Sequence, residues 1–327
     1  MKLIRTWFSI FCAFALTLNA FAVDPEPEQE VVRPTGVEKA PKSKKTLPKA
    51  EAVEEGTAKP KAKRARSTKK SEEDFSLGPP GPGKAVPATG AKSVMIVDAR
   101  DGHILYEKNP DEVRAPASTQ KLLTALIIAE HGVLDQPVRV EAIDTLAEPV
   151  KLNIKPGDVY QRIDLLRALL VKSPNDVARC LARDHAGSIE AFAEVMNRRA
   201  MALGATHSHF VNPNGLPMPG QYSTARDLSL VARAAYANPT IRSIVCLPQL
   251  VFRYANGRTR ELENTNKVLR RFPYCNGMKT GYTEAAGHCL ISSASRPGRD
   301  VIVVVLGDSK SGVWRDSAAL LQWGLWM

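Results

Sequence analysis

The sequence predicts a mixed α/β domain of the α+β type: one antiparallel sheet built from both ends of the folded chain, flanked by helices, with an all-helical subdomain inserted. Three observations predict it. Strand patterns open and close residues 91–327, helical patterns fill the middle, and a long polar tract separates this region from the N-terminus. A chain segment of this length buries a sizeable core. The crevice between sheet and insert is where a site is expected.

The elements follow in order. "SVMIVDARDGHILYEKN" reads as a hairpin turning at "RDG". A helix from about Ser118 to Glu130 comes next, with Leu122, Leu123, Leu126 and Ile127 on one wide apolar face. That face makes the helix central rather than peripheral. "RIDLLRALLV", "NDVARCLARDH", "IEAFAEVMNRRAMALG" and "ARDLSLVARAAYA" continue the helical pattern, so the insert spans about 118–246. "QLVFRYANGRTRELEN" is a hairpin around Asn256-Gly257, the strongest short-range hairpin signal. "NGMKTGYT", "HCLISSAS" and "DVIVVVLGD" predict three strands, and "WRDSAALLQWGLW" a closing amphipathic helix.

Residues 1–22 read as an export signal: Lys2 and Arg5, an apolar core over Trp7–Leu18, and the small-x-small end "AFA". That core is short for a membrane span of roughly 20 residues. Residues 23–90 predict a disordered Pro/Lys/Glu-rich linker, too poor in apolar side chains to offset the entropy of ordering. Its basic run, Lys59–Lys70, reads as a solvated spacer. Export places the expected location in a bacterial periplasm or at a cell surface. Membrane contact is expected only through an uncleaved N-terminus or that basic run.

The formal net charge is +11, but it includes signal and linker and so points to no partner. Aromatics are few and basic residues scattered, which excludes a nucleic-acid-binding module. Beyond Cys12 in the signal, Cys180, Cys246, Cys275 and Cys289 form an even set for an oxidising compartment, with three full pairings open. None has CxxC spacing. His207 and His209 lack an acidic partner at metal-site spacing and read as structural or surface residues; Cys289 reads as a packed core residue.

Three short motifs carry the chemistry. In "APASTQK", Ser118 precedes Lys121 by three residues at the head of the buried helix. Alone, the pair reads as an N-cap and a surface charge, and "STKK" repeats its spacing in a polar tract. "SPN" alone reads as Ser173 N-cap, Pro174 first helical residue and Asp176 completing a capping box. "KTG" alone reads as an edge strand in which Gly281 admits a close backbone approach. In this order, however, Ser-x-x-Lys, Ser-x-Asn and Lys-Thr-Gly resemble the signature of the active-site-serine penicillin-recognising enzymes.

"PASTQKLLTAL", "LLVKSPNDVA", "HFVNPNGLPMPGQYSTARDLSLVARAA", "MKTGYTEAAGHCLISSA" and "VVVLGDSKSGVWRDSAALLQWGL" closely resemble the low-molecular-mass D-alanyl-D-alanine carboxypeptidases, the S11 peptidase family. The resemblance covers residues 92–327 and none of the linker. It implies a penicillin-binding protein/β-lactamase-like fold, no cofactor and no metal. The implied partners are a peptidoglycan stem peptide ending in D-Ala-D-Ala and, as covalent inhibitors, β-lactam antibiotics. It implies Ser118 as nucleophile and Lys121 as its base, with Ser173 and Lys279 relaying the proton to the departing D-alanine. A buried lysine beside a second cation is pushed toward the neutral amine that a base requires. Asn175 would hold the substrate amide, and Thr280, with Lys279, the terminal carboxylate. Thr280, Gly281 and Tyr282 form the substrate-binding strand, with the N–H groups of Ser118 and Tyr282 as the oxyanion hole.

Pro174 departs from the small residue usual in the second motif, and it is expected to restrict Ser173 to extended geometry. The sequence stops about 46 residues after the third motif, so the C-terminal β domain of many relatives is not expected. Three other functions share these motifs. A β-lactamase of class A would need a Glu-x-x-Leu-Asn segment, which the sequence lacks. A D,D-endopeptidase cleaving peptide cross-links would use the same residues. An inactive wall-binding protein would have lost one of Ser118, Lys121 or Lys279.

Overall fold

A computed structural model describes residues 77, 81, 83 and 85–327. The expected export signal and most of the expected linker lie outside the described residues. The fold runs through β1 (Ser93–Asp98), β2 (Ile104–Lys108), a 3-10 turn (Ala117–Gln120) and α1 (Lys121–His131). It continues through β3 (Pro137–Arg139), β4 (Val159–Gln161), α2 (Arg162–Lys172), α3 (Asn175–Ala186), α4 (Ile189–Ala202), α5 (Ala225–Ala237) and α6 (Pro239–Val245). The hairpin β5 (Gln249–Arg253) and β6 (Thr259–Glu263) leads to β7 (Cys275–Thr283), β8 (Gly287–Arg296), β9 (Arg299–Asp308) and α7 (Gly312–Trp326).

Both ends of the domain build one five-stranded antiparallel sheet in the order β2-β1-β9-β8-β7. Lys279 of β7 stands opposite Ile291, Ile291 opposite Val304, and Val304 opposite Met95. Alternate residues of each strand serve opposite faces. Met95, Val97, Ile302 and Val304 pack with the helices of the insert, while Val94, Ile96, Val301 and Val303 pack under α7. A strand buried on both sides reads as a continuous apolar run, as "VIVVVL" does. Each such Val or Ile contributes about 1.5–3 kcal/mol when fully buried.

α1 is more enclosed than one apolar face requires. Lys121 through Ile128 are all buried, so the helix is the axis of the insert and its polar first residue is inside as well. α6 and the short strands β3 and β4 carry too little periodicity to be read from sequence. α6 is only a turn or two, started by Pro239 and by Asn238, whose side-chain oxygen accepts from the Ile241 N–H at 3.1 Å. The polypeptide already meets the domain ahead of residue 91. Val86 packs under α7, and the Gly90 N–H donates to Asp316 Oδ2 at 2.7 Å.

The four cysteines of the described residues are free thiols, so none of the three pairings expected for an oxidising compartment is present there. Their placement explains this. Cys180 is inside α3, Cys246 is exposed after α6, and Cys275 and Cys289 lie near opposite ends of the β7–β8 ladder. Burial pushes the Cys275 and Cys289 thiols up to about 11, and Cys289 packs in the core as its sequence context suggests.

Candidate active site

Ser118 stands in the 3-10 turn, and the α-helix proper begins at Lys121, three residues later than the pattern suggests. The tighter turn has a local cause. Ala117 holds φ at 48°, in the left-handed region that costs a non-glycine residue about 1–3 kcal/mol and that clusters at functional sites. Two glycines hold this turn in place. A Cβ on Gly215 would lie 2.0 Å from Ala117 O, and one on Gly281 would lie 3.0 Å from Ser118 N and 2.9 Å from Thr119 N. Bare backbone at both positions is therefore what lets the segment after α4 and strand β7 close on the serine from two sides. Gly281→Ala is expected to push the Ser118 turn off β7 and slow serine acylation about 100-fold, since a displacement near 1 Å at a reacting group costs that much. Stopped-flow acylation by a reporter β-lactam measures it.

Lys121 is wholly buried, and its Nζ lies 2.8 Å from Ser118 Oγ, 2.7 Å from Asn175 Oδ1 and 2.6 Å from Asn214 O. The two carbonyl oxygens can only accept. A neutral amine has two N–H donors and one lone pair, so satisfying both carbonyls leaves the lone pair to face the serine hydroxyl. Burial first, and then the charge of Lys279, push Lys121 well below the ordinary lysine value, with Asp176 opposing. Burial lowers the proton affinity of an amine that stands 2.8 Å from Ser118 Oγ, which places Lys121 to accept the serine proton.

The middle motif differs from both expectations set for it. Ser173 is not an N-cap: it ends α2, with its N–H donating to Leu169 O at 3.0 Å. Nor does Pro174 hold it extended, because Ser173 has φ 66° and ψ 32°. A left-handed residue is a common way to stop a helix, and here that requirement outweighs the preference of a residue before proline. Asp176 closes no capping box. Its carboxylate accepts from the Leu152 and Asn153 N–H groups at 2.9 and 2.8 Å, tying the loop before β4 to the head of α3. The Asn175 N–H donates to Val150 O at 2.7 Å and fixes that residue as well.

Lys279 and Thr280 lie on β7, the edge strand, as "KTG" alone suggests. Lys279 is buried and donates to Thr280 O at 3.0 Å, and burial brings it down to about 7. The Thr280 hydroxyl meets Thr265 Oγ1 at 2.7 Å. Tyr282 is 57% exposed and stacks on His288 with ring centroids 4.3 Å apart. Ser118, Ser173, Thr280, Gly281 and Tyr282 line one cavity of ≈ 340 Å³, together with Val150 and Trp314. Lys121, Asn175 and Lys279 are buried next to these residues in sequence, and the Lys121 amine reaches Ser118 Oγ at 2.8 Å.

The buried lysines set a pH dependence of stability. Between about pH 7 and 10.5 the unfolded protein keeps a proton on Lys279 that the folded protein has released. Stability therefore rises with pH across that window, and below it the lysine contributes no slope. Urea unfolding is expected to show Lys279→Met losing about 2 kcal/mol of the gain between about pH 7.5 and 9.

Sequence reasoning did not assign Asn214, Gly215 or Thr265, and it gave Asp176 only a capping role. The first two lie in the quoted "HFVNPNGLPMPG", whose Asn, Pro and Gly content signals turns but not which group a turn presents. Thr265 lies 15 residues before Thr280, and only the fold brings it to the strand.

A serine hydroxyl 2.8 Å from the amine of a wholly buried lysine, with a second buried lysine on β7, is the arrangement of an acyl-transferring serine enzyme with lysine as base. The S11 family model, described as D-alanyl-D-alanine carboxypeptidase, matches residues 82–310. The protein is 36% identical over 245 residues to D-alanyl-D-alanine carboxypeptidase DacB2 of Mycobacterium tuberculosis H37Rv, covering 73% of this sequence and 84% of that one. A D-alanyl-D-alanine endopeptidase of Escherichia coli K12 is 31% identical over 242 residues, with 72% and 78% covered. The crystal structure of a D-alanyl-D-alanine carboxypeptidase from Mycobacterium tuberculosis H37Rv superposes with a TM-score of 0.70 at 35% identity, over 75% of this protein and 94% of that one. The chain belongs to the S11 family of D-alanyl-D-alanine carboxypeptidases.

Proposed function

We propose that this protein is a serine D-alanyl-D-alanine carboxypeptidase that removes the terminal D-alanine from peptidoglycan stem peptides through an acyl-enzyme on Ser118. The observation that carries the reading is the wholly buried Lys121 amine, its Nζ 2.8 Å from Ser118 Oγ and also in contact with Asn175 Oδ1 and Asn214 O. Ser118 Oγ attacks the carbonyl of the penultimate D-alanine as Lys121 takes its proton. The N–H groups of Ser118 and Tyr282 receive the charge that develops on the carbonyl oxygen. Asn175 has its Oδ1 engaged by Lys121, which leaves its amide N–H groups for the substrate. Thr280 and Lys279 bind the terminal carboxylate. Ser173 and Lys279 pass the proton to the departing amine, and water then releases the acyl group. β-Lactams acylate the same serine.

Export to the periplasm or cell surface is part of this proposal and rests on the N-terminal signal pattern. So does the linker over 23–90, with membrane contact through its basic run or an uncleaved N-terminus. The test is a time course with a pentapeptide ending in D-Ala-D-Ala, read by a D-amino-acid assay. One D-alanine per peptide is expected. Absence of both D-alanine release and a penicillin adduct would overturn the reading.

A further inference from the structure

The lining of the reaction cleft is nearly uncharged. Among the described residues that line it, Lys172 alone carries a lysine, arginine or carboxylate side chain. His288 also lines it, but burial and then Lys310 hold its ring below the usual histidine range, so its charge is lost near pH 7. Lys172 is the last residue of α2 and is half-buried. Among the described residues, no hydrogen bond or ion pair engages its side chain. Its place is nevertheless fixed. The Thr265 N–H donates to the carbonyl of Val171, the preceding residue, at 3.1 Å, and the Thr265 hydroxyl meets Thr280 Oγ1 at 2.7 Å. Thr265 therefore ties the end of α2 to β7, and Lys172, Thr265 and Thr280 line the cleft together. The residues flanking Thr265 are themselves anchored: the Asn264 amide donates to Leu247 O and the Asn266 amide to Gly277 O, each at 2.9 Å.

The proposed reaction needs a lasting positive charge beside Thr280. That residue holds the carboxylate of the terminal D-alanine, and bringing a carboxylate out of water is costly unless a cation meets it. Lys279 does not supply such a charge by itself. It is 1% exposed and donates to Thr280 O at 3.0 Å, and burial brings it down to about 7. Near neutral pH it therefore carries its proton about half the time. In the proposed relay it also gives that proton to the departing amine, which removes its charge while the carboxylate is still bound. We propose that Lys172 is the cation that receives the terminal carboxylate of the substrate, and that it thereby sets the preference for peptides ending in a free D-alanine. A lysine suits this role, because its flexible stem carries a compact charge with three donors to an acceptor of variable position. The inference deepens the carboxypeptidase reading of Ser118 and Thr280 and rests on it.

The test uses the full-length protein and two peptidyl-D-alanine thioesters. One has thioglycolate as leaving group and presents a carboxylate; the other has thioglycolamide and presents none. Release of the thiol is followed with a chromogenic disulfide. Wild type is expected to prefer the thioglycolate in kcat/KM by at least about tenfold, the scale of one charge-assisted contact. Lys172→Gln is expected to lower that preference about tenfold, slowing the thioglycolate and sparing the thioglycolamide. On a D-Ala-D-Ala pentapeptide the same variant is expected to raise KM about tenfold with kcat little changed, because the carboxylate is held in ground and transition states alike. Lys172→Arg keeps the charge and is expected to keep most of the preference. The preference is a ratio within one protein, so a lower folded fraction does not alter it. A wild type without preference overturns the proposal, as does a preference untouched in Lys172→Gln. Equal losses on both thioesters, the mark of a purely structural role, overturn it too, and so does an arginine variant as impaired as the glutamine one. Failure of the carboxypeptidase reading looks different: wild type would release no D-alanine and form no penicillin adduct, and this inference would fall with it.

Discussion

Ser118→Ala is expected to abolish covalent chemistry, lowering acylation and D-alanine release by a factor on the order of 10⁶, the scale seen when a serine nucleophile is removed. The fold should survive. Ser118 is half-buried, and its hydroxyl meets only Lys121 Nζ at 2.8 Å and Asn214 O at 3.3 Å among the described residues. Losing one hydroxyl of this kind costs about 1 kcal/mol. The variant should therefore melt close to wild type while intact-mass spectrometry shows no penicilloyl adduct. A variant that lost activity by unfolding would fail the melting comparison.

Lys121→Met is the second large effect. Methionine fills the buried space of the lysine stem but has no lone pair with which to accept the serine proton. Acylation is expected to fall about 10³-fold, within the range attributed to a positioned general base. Asn214 O and Asn175 Oδ1 lose their donor, while folding no longer desolvates an amine, so the two changes oppose each other in stability. Wild type should also lose activity in acid. Protonation fills the lone pair, so below the lowered Lys121 value the acylation rate drops about tenfold per pH unit. In Lys121→Met that acid limb disappears from what activity remains. Rate against pH for both proteins by stopped flow measures this.

The fold was legible wherever a pattern extended over enough residues. The apolar runs of β8 and β9, the Asn256-Gly257 hairpin and the long helices each state their period in the sequence. α6, β3 and β4 are too short to show one. The site was legible as three motifs in order, each of which contributes a residue to the lining of one cavity. How the backbone arrives there was not legible. Ser173 reads as a helix start because Ser-Pro-Asn-Asp fits one, yet it terminates the preceding helix in a left-handed conformation. Local propensity describes one helix at a time, whereas this junction must end α2 and begin α3 within three residues. One partner that positions the Lys121 amine is a backbone carbonyl, Asn214 O, 93 positions away. A main-chain oxygen leaves no mark of its own in a sequence.

The two buried lysines also explain why the site is costly to build. Each is an amine removed from water, and the sheet and α1 hold them there through the surrounding apolar core. Burial lowers the proton affinity of both amines, which eases the cost of that arrangement. The same property makes Lys121 a base.

Everything above turns on Ser118, and no other hydroxyl, becoming acylated. Tryptic peptide mapping of the penicillin-treated wild-type protein decides this, because cleavage after Arg114 and Lys121 isolates residues 115–121, whose only hydroxyls are Ser118 and Thr119. The penicilloyl mass is expected on that peptide, with fragmentation placing it on Ser118. An adduct on the peptide carrying Ser173, or a fully unmodified digest, would refute the assignment of Ser118 as nucleophile.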